Sequence, residues 1–91
     1  MEIALRLPRV LQQHGDGKPE LRVPGTTVRD VLEELKRRYP SLYQCICDET
    51  GAVRQHVSLF VNNDFLPHRN GLDTRLESGD VLSVFQAVSG G

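Results

Sequence analysis

Hydrophobic and polar positions alternate with a period of two in four stretches of the chain, and between the second and third of these the period lengthens toward that of a helix. "EIALRLP" sets Ile3, Leu5 and Leu7 against Glu2, Ala4 and Arg6, the pattern of a strand with one buried face, and Pro8 ends it. "ELRVPG" places Leu21 and Val23 on one face and closes at Pro24-Gly25. The turn formers of "HGDGKP" lie between these two strands and imply a hairpin, with a connection from Pro8 to Pro19 that is longer than a tight turn. "RQHVSLFVNND" predicts a third strand, with Val57, Leu59 and Val61 opposite Ser58, Phe60 and Asn62. In the last stretch Ser78-Gly79-Asp80 forms a tight turn, and Leu82 and Val84 then alternate with Ser83 and Phe85.

The change of period falls in "TTVRDVLEELKRRYP". Val28, Val31, Leu32, Leu35 and Tyr39 recur at steps of three and four, so one side of a helix is apolar while Arg29, Glu33, Lys36 and Arg37 face water. Thr27 is placed to cap the helix with Asp30 three residues on, and Pro40 stops it. "SLYQCICDETG" predicts a short helical turn that packs Leu42 and Ile46 on the core, with Cys45 beside them, and ends at Gly51. "FLP" reads as a short edge strand blunted by Pro67, and a turn or single helical turn is expected around Leu72 to Leu76. This order implies an α+β domain: a mixed sheet carrying one main helix on a single face, with the first and last strands side by side in its middle.

Composition narrows the function classes. Ninety-one residues make one small domain, and 38% hydrophobic with 25% charged residues is the balance of a chain that folds. A net charge of −1 disfavours nucleic acid and anionic membranes as partners, because both require a surplus of Lys and Arg. No apolar run approaches the ~20 residues of a membrane span, and the first residues lack the pattern of a secretory leader, so a cytoplasmic protein is expected. Cys45 and Cys47 are too close for an unstrained disulfide, and with His14, His56 and His68 scattered they make no zinc pattern; they read as structural or incidental thiols. No serine, histidine and acid form a recognisable nucleophile setting and no glycine-rich loop has the context of a phosphate cradle, so an enzyme with its own active site is not expected.

With Leu82 and Val84 facing the helix, Val81 and Phe85 face the other way, and the same parity turns Phe60 outward. Phe60, Phe85 and Val81 are therefore expected to form a docking patch on the bare side of the sheet, on neighbouring strands close to the C-terminal "SGG". Residues 87–91 are expected to be a tail after a 1–86 domain, ending in Gly90 and Gly91. A terminal glycine offers a carboxylate on an unhindered carbon. Once activated as an anhydride with AMP it becomes open to a sulfur or nitrogen nucleophile, and two glycines can thread a narrow channel without a Cβ clash.

"LESGDVLSVFQAVSGG", the "VNN" after the third strand and the "TTVRDVLEEL" helix together resemble the MoaD/ThiS family of ubiquitin-like sulfur carriers, which are β-grasp proteins. The resemblance spans essentially the whole chain. It implies that an E1-like enzyme adenylates Gly91 using ATP and Mg²⁺, that a sulfur donor converts the adenylate to a thiocarboxylate, and that a client enzyme takes the sulfur. On this reading Gly90, Ser89 and Val88 form the tail, with Gly90 giving a side-chain-free approach, Phe60, Phe85 and Val81 form the docking face, and the chain itself binds no cofactor or metal. It is a cosubstrate or the non-catalytic small subunit of a sulfur-transferring synthase. Gln86-Ala87 stands where molybdopterin synthase small subunits often carry prolines, so the resemblance favours a cysteine synthase client, then the molybdopterin synthase large subunit, then a thiamine-type client. The same activated Gly91 would serve a ubiquitin-like modifier attached to lysines of other proteins.

Overall fold

A computed structural model describes residues 2–66 and 70–86. The four alternating stretches become β1 (Glu2–Arg6), β2 (Glu20–Pro24), β3 (Val57–Val61) and β5 (Val81–Gln86), and Asp64–Phe65 forms the short β4. The sheet runs β2-β1-β5-β3-β4, with β5 parallel to β1 and the other neighbours antiparallel. The first and last strands are thus adjacent in the interior of a mixed sheet, as the pattern predicts. Among described residues the edge strand β4 ends before Pro67, which lies outside them.

The main helix, α2 (Val28–Arg38), buries Val28, Val31, Leu32 and Leu35. These pack on the sheet face formed by Ile3, Leu5, Leu21, Val23, Leu59, Val61, Leu82 and Val84 in one continuous core. Its N-terminus is closed in two steps. Thr27 Oγ1 accepts from the Asp30 backbone N–H at 3.1 Å, while Asp30 Oδ2 accepts from the Thr26 hydroxyl at 2.8 Å and the Thr26 N–H at 3.3 Å. The return half of the capping box therefore lands one residue earlier than in the simple form. The Thr26 hydroxyl bond holds the Asp30 carboxyl below its usual range.

Two further helices lie on the same side. Pro40 stops α2 and also opens α3 (Pro40–Ile46), whose Leu42, Tyr43 and Ile46 reach the core. Cys45 stays half-buried, and the thiol that joins the core fully is Cys47. The link from β1 to β2 contains α1 (Arg9–Gln12), a four-residue helix anchored by Leu11, where only a turn-rich connection is expected from the sequence. Ala4 also departs from expectation. It is buried although it shares a face with Glu2 and Arg6, because its methyl group lies between Arg22 and Val81 on the flanking strands. The turn expected near Leu72 is a 3-10 turn at Gly71–Asp73, and the following Thr74 carbonyl accepts the Val28 N–H at 3.1 Å.

Gly25 sets how closely β2 approaches α2. A Cβ there would stand 2.7 Å from Val31 Cγ2 and 2.9 Å from the Val31 backbone nitrogen. A backbone atom in the first turn of a capped helix cannot yield as a side-chain end can. Gly25→Ala is therefore expected to cost about 1–3 kcal/mol, read as a lower urea midpoint with an unchanged slope.

Candidate functional site

Period two assigns each strand residue to one face, and the face away from the helices carries the aromatic side chains. Ser58 pairs with Phe85, Phe60 with Ser83, and Phe60 also with Phe65 across the tight β3–β4 turn. Phe60 is central: its ring centroid is 5.3 Å from that of Phe65, tilted, and 5.3 Å from that of Phe85, edge to face. All three phenylalanines of the chain meet here. Phe85 remains 55% exposed, and the partly buried Val81 and Phe60 lie beside it. Together they line a concavity of about 620 Å³ with Arg6, Asn62 and Ser83. Arg6 is the charged side chain of this lining, and its Nε is 3.4 Å from Glu20 Oε1 in an exposed pair that adds little stability.

The three predicted patch residues are thus brought together, and the structure adds Phe65 and Arg6. Phe65 was open to prediction: "FVNNDF" is a two-residue hairpin turn, and such a turn puts Phe65 opposite Phe60. Arg6 could have been found only from the parallel β1–β5 register, which sets it beside Ser83.

A polar clasp ties two of the residues that line the groove, Asn62 and Val81. Asn62 adopts a left-handed φ of 55°, which asparagine tolerates better than most residues. Its Nδ2 donates to Asp80 Oδ1 at 3.1 Å and its Oδ1 accepts from the Val81 N–H at 3.1 Å, while its backbone N–H donates to the Val81 carbonyl at 2.7 Å. Asp80 Oδ2 in turn accepts from the Glu77 N–H at 2.9 Å, closing the turn in which Gly79 takes φ +93°. Asn62→Ala removes both side-chain bonds and leaves an unsuited residue at positive φ. The expected loss is about 1–2 kcal/mol in urea unfolding, and an unchanged midpoint would show that the clasp adds nothing.

Elsewhere among the described residues the side chains make no comparable chemical constellation. Burial pushes the Cys47 thiol up, away from a reactive thiolate. His14 Nδ1 lies 3.1 Å from Ser41 Oγ, but among the described residues no carboxylate is bonded to that histidine. Among the described residues no three His, Cys, Asp or Glu side chains are grouped to hold a metal ion, and no helix is long and apolar enough to cross a membrane. His68 and the predicted tail residues Val88, Ser89, Gly90 and Gly91 lie outside the described residues. What the structure places is their root: the central strand β5 leaves its pairing with β1 at Ser83 and ends at Gln86, opposite Val57 of β3.

Comparison with known proteins gives relatives of two kinds. The sequence model of the ThiS family matches residues 11–91. Sulfur carrier protein CysO of Mycobacterium tuberculosis is 26% identical over 93 aligned residues, covering all of both chains. Small archaeal modifier protein 3 of Haloferax volcanii is 38% identical over 65 residues, which are 71% of this chain and 70% of that one. A chain of the Amycolatopsis orientalis BexX/CysO complex superposes with a TM-score of 0.88 at 22% identity, over 98% of this chain and 99% of its own. That likeness shows the fold, the ubiquitin-like β-grasp arrangement expected from the sequence.

Proposed function

The chain belongs to the ThiS family, and from that premise we propose that it carries sulfur as a thiocarboxylate on Gly91. The observation that carries this reading is that the family match runs through Gly91, beyond a central strand whose outward face forms the aromatic groove. An E1-like enzyme docks on Phe60, Phe85 and Val81 and adenylates the Gly91 carboxylate with ATP and Mg²⁺, releasing pyrophosphate. A donor of sulfide-level sulfur then attacks the activated carbonyl, the C–O bond to AMP breaks, and the sulfur stays on Gly91 as the thiocarboxylate. Val88 and Ser89 lead into Gly90 and Gly91, and the two glycines can pass where larger side chains would clash.

The chain is a carrier rather than an enzyme, as sulfur carriers are among its relatives; on this reading its partners supply the nucleotide and metal chemistry. The whole-chain likeness to CysO supports a cysteine synthase client, in which the thiocarboxylate attacks an enzyme-bound aminoacrylate; Gln86-Ala87 supports it over the molybdopterin synthase large subunit. The 38% identity to a small archaeal modifier supports a second reading, in which the same acyl-adenylate is attached to lysines of other proteins. Both readings place the chain in the cytoplasm, where its nucleotide-using partner would be. Intact mass of the protein recovered from its own cells separates them. A gain of about sixteen daltons marks oxygen replaced by sulfur, whereas conjugates of much higher mass mark modification. Finding neither overturns the proposal.

A further inference from the structure

One edge of the sheet keeps its backbone groups unpaired. β2 is the outermost strand beside β1, and its register runs without a bulge from Glu2↔Pro24 to Arg6↔Glu20. The Leu7 N–H donates to the Pro19 carbonyl at 2.9 Å, so these two residues form a hydrogen-bonded pair, and by alternation so do Leu5 with Leu21 and Ile3 with Val23. The backbone N–H and C=O groups of Glu20 and Arg22 therefore point out of the sheet. Among the described residues nothing bonds to them. Their side chains stand on the bare face, Glu20 partly and Arg22 fully exposed, while Leu21 and Val23 are buried in the core.

Edge strands are commonly guarded by charges, by proline or by a bulge. Here Pro24 supplies no N–H and bounds the open edge on one side, and on the other the Lys18 N–H is already bonded to the Gly15 carbonyl at 3.1 Å. Between them stand one anion and one cation, and their order decides what can pair. When two β2 strands meet antiparallel, centring on Arg22 sets arginine against arginine, and centring on Glu20 sets glutamate against glutamate. Centring on Leu21 sets Glu20 of each strand opposite Arg22 of the other, and each such pair exchanges two N–H···O bonds. One register is thus attractive and its neighbours are repulsive. Within a single chain Arg22 lies opposite Ala4 with Glu2 and Arg6 on the diagonals, and Glu20 Oε1 is 3.4 Å from Arg6 Nε. The arginine of a second copy joins that exposed pair from its other side and does not displace Arg6.

We propose that two copies of this chain pair antiparallel along β2, with a two-fold axis between their Leu21 residues and Glu20 of each copy opposite Arg22 of the other. The contact is isologous and closes at two copies. It does not depend on the chemistry at Gly91. A five-residue edge whose apolar side chains point into the core buries little new surface, so the dimer is weak and forms with rising concentration. Both bare faces then lie on the same side of one continuous sheet, and with strands about 4.8 Å apart the two aromatic grooves are about 30 Å from each other. A partner with two-fold symmetry of its own meets both grooves at once and gains avidity from the second contact.

Sedimentation equilibrium of the full chain from about 0.02 to 1 mM at low salt is expected to show the mass rising from 10.2 kDa toward twice that value, and the rise should shrink as salt screens the pairs. Amide exchange followed by NMR over the same range locates the contact. The Leu21 and Val23 N–H groups are held by β1 and should be protected throughout, whereas those of Glu20 and Arg22 should exchange fast in the monomer and become protected as the dimer forms. Arg22→Glu and Glu20→Arg each set like charges opposite one another and should raise the dissociation constant about tenfold or more. An equimolar mixture of the two variants should associate again, because a chain with arginine at both positions then meets one with glutamate at both. Unchanged protection at Leu21 and Val23 checks that each variant is folded. A constant mass of 10.2 kDa at every concentration overturns the proposal, and so does a mixture no more associated than its components. A dimer whose Glu20 and Arg22 amides still exchange fast, or one that Phe85→Asp dissolves, overturns it as well, since the contact would then lie away from β2.

Discussion

Deleting Gly90 and Gly91 is expected to reduce ATP–pyrophosphate exchange by the activating enzyme, and thiocarboxylate formation, to background. The reason is chemical. Without Gly91 the terminal carboxylate recedes by two residues, about 7 Å of extended chain, and Ser89 brings a β-carbon to the carbonyl that, on the proposed mechanism, meets the nucleotide. A displacement of about 1 Å can already cost about 100-fold in a positioned reaction. The fold should not change, because among the described residues the core is built from side chains between Ile3 and Val84. Urea midpoints of the full and shortened chains are therefore expected to coincide. Gly90→Ala should fall between, keeping the terminal carboxylate while adding one methyl group and narrowing backbone freedom. Undiminished exchange in the shortened chain would remove the carrier and modifier readings together and leave a non-covalent binding module built on the aromatic face.

Which parts of this molecule could be read in advance follows from the physics of a sheet covered on one side only. Such a sheet forces alternation, so β1, β2, β3 and β5 announced themselves, and parity alone placed Phe60 and Phe85 together on the bare face. The helix α2 was equally open to reading, since four buried residues at steps of three and four leave no other period. Short elements held by a single anchor were not. One buried leucine in the four-residue α1 has no periodicity to detect, and Pro40 reads as a stop before it reads as the first residue of α3. Ala4 was assigned to the exposed side by parity, yet a methyl group between two larger neighbours is shielded whichever way it faces.

Phe85→Asp is expected to raise the activating enzyme's apparent KM for this protein by more than about 30-fold, with kcat at saturation within about twofold. The ring is the most exposed part of the aromatic cluster, yet it is held in place by its edge-to-face contact with Phe60. A side chain that is ordered before binding and still accessible is the kind that carries an interface: it loses little freedom on docking and buries a large apolar area. A carboxylate at the same position would have to be desolvated against whatever apolar surface covers the patch, and more than 2 kcal/mol of lost affinity corresponds to that shift. On the proposed mechanism the reacting group belongs to the tail, so a variant that does bind should react at nearly the normal rate, which is why KM is expected to move and kcat is not. Stability offers the internal control. Phe85 contributes to folding mainly through the ring contact, worth about 0.5–1.5 kcal/mol, so Phe85→Ala should lower the urea midpoint only slightly while still raising KM about tenfold. Phe60 has both jobs, since it touches Phe65 as well, and Phe60→Ala should cost stability and affinity together. The Phe60→Ala/Phe85→Ala pair should be less than additive in KM, because each ring positions the other. A KM for Phe85→Asp equal to that of the unmodified protein would show that the activating enzyme grips some other surface, and the aromatic groove would then have to be assigned to the client that takes the sulfur.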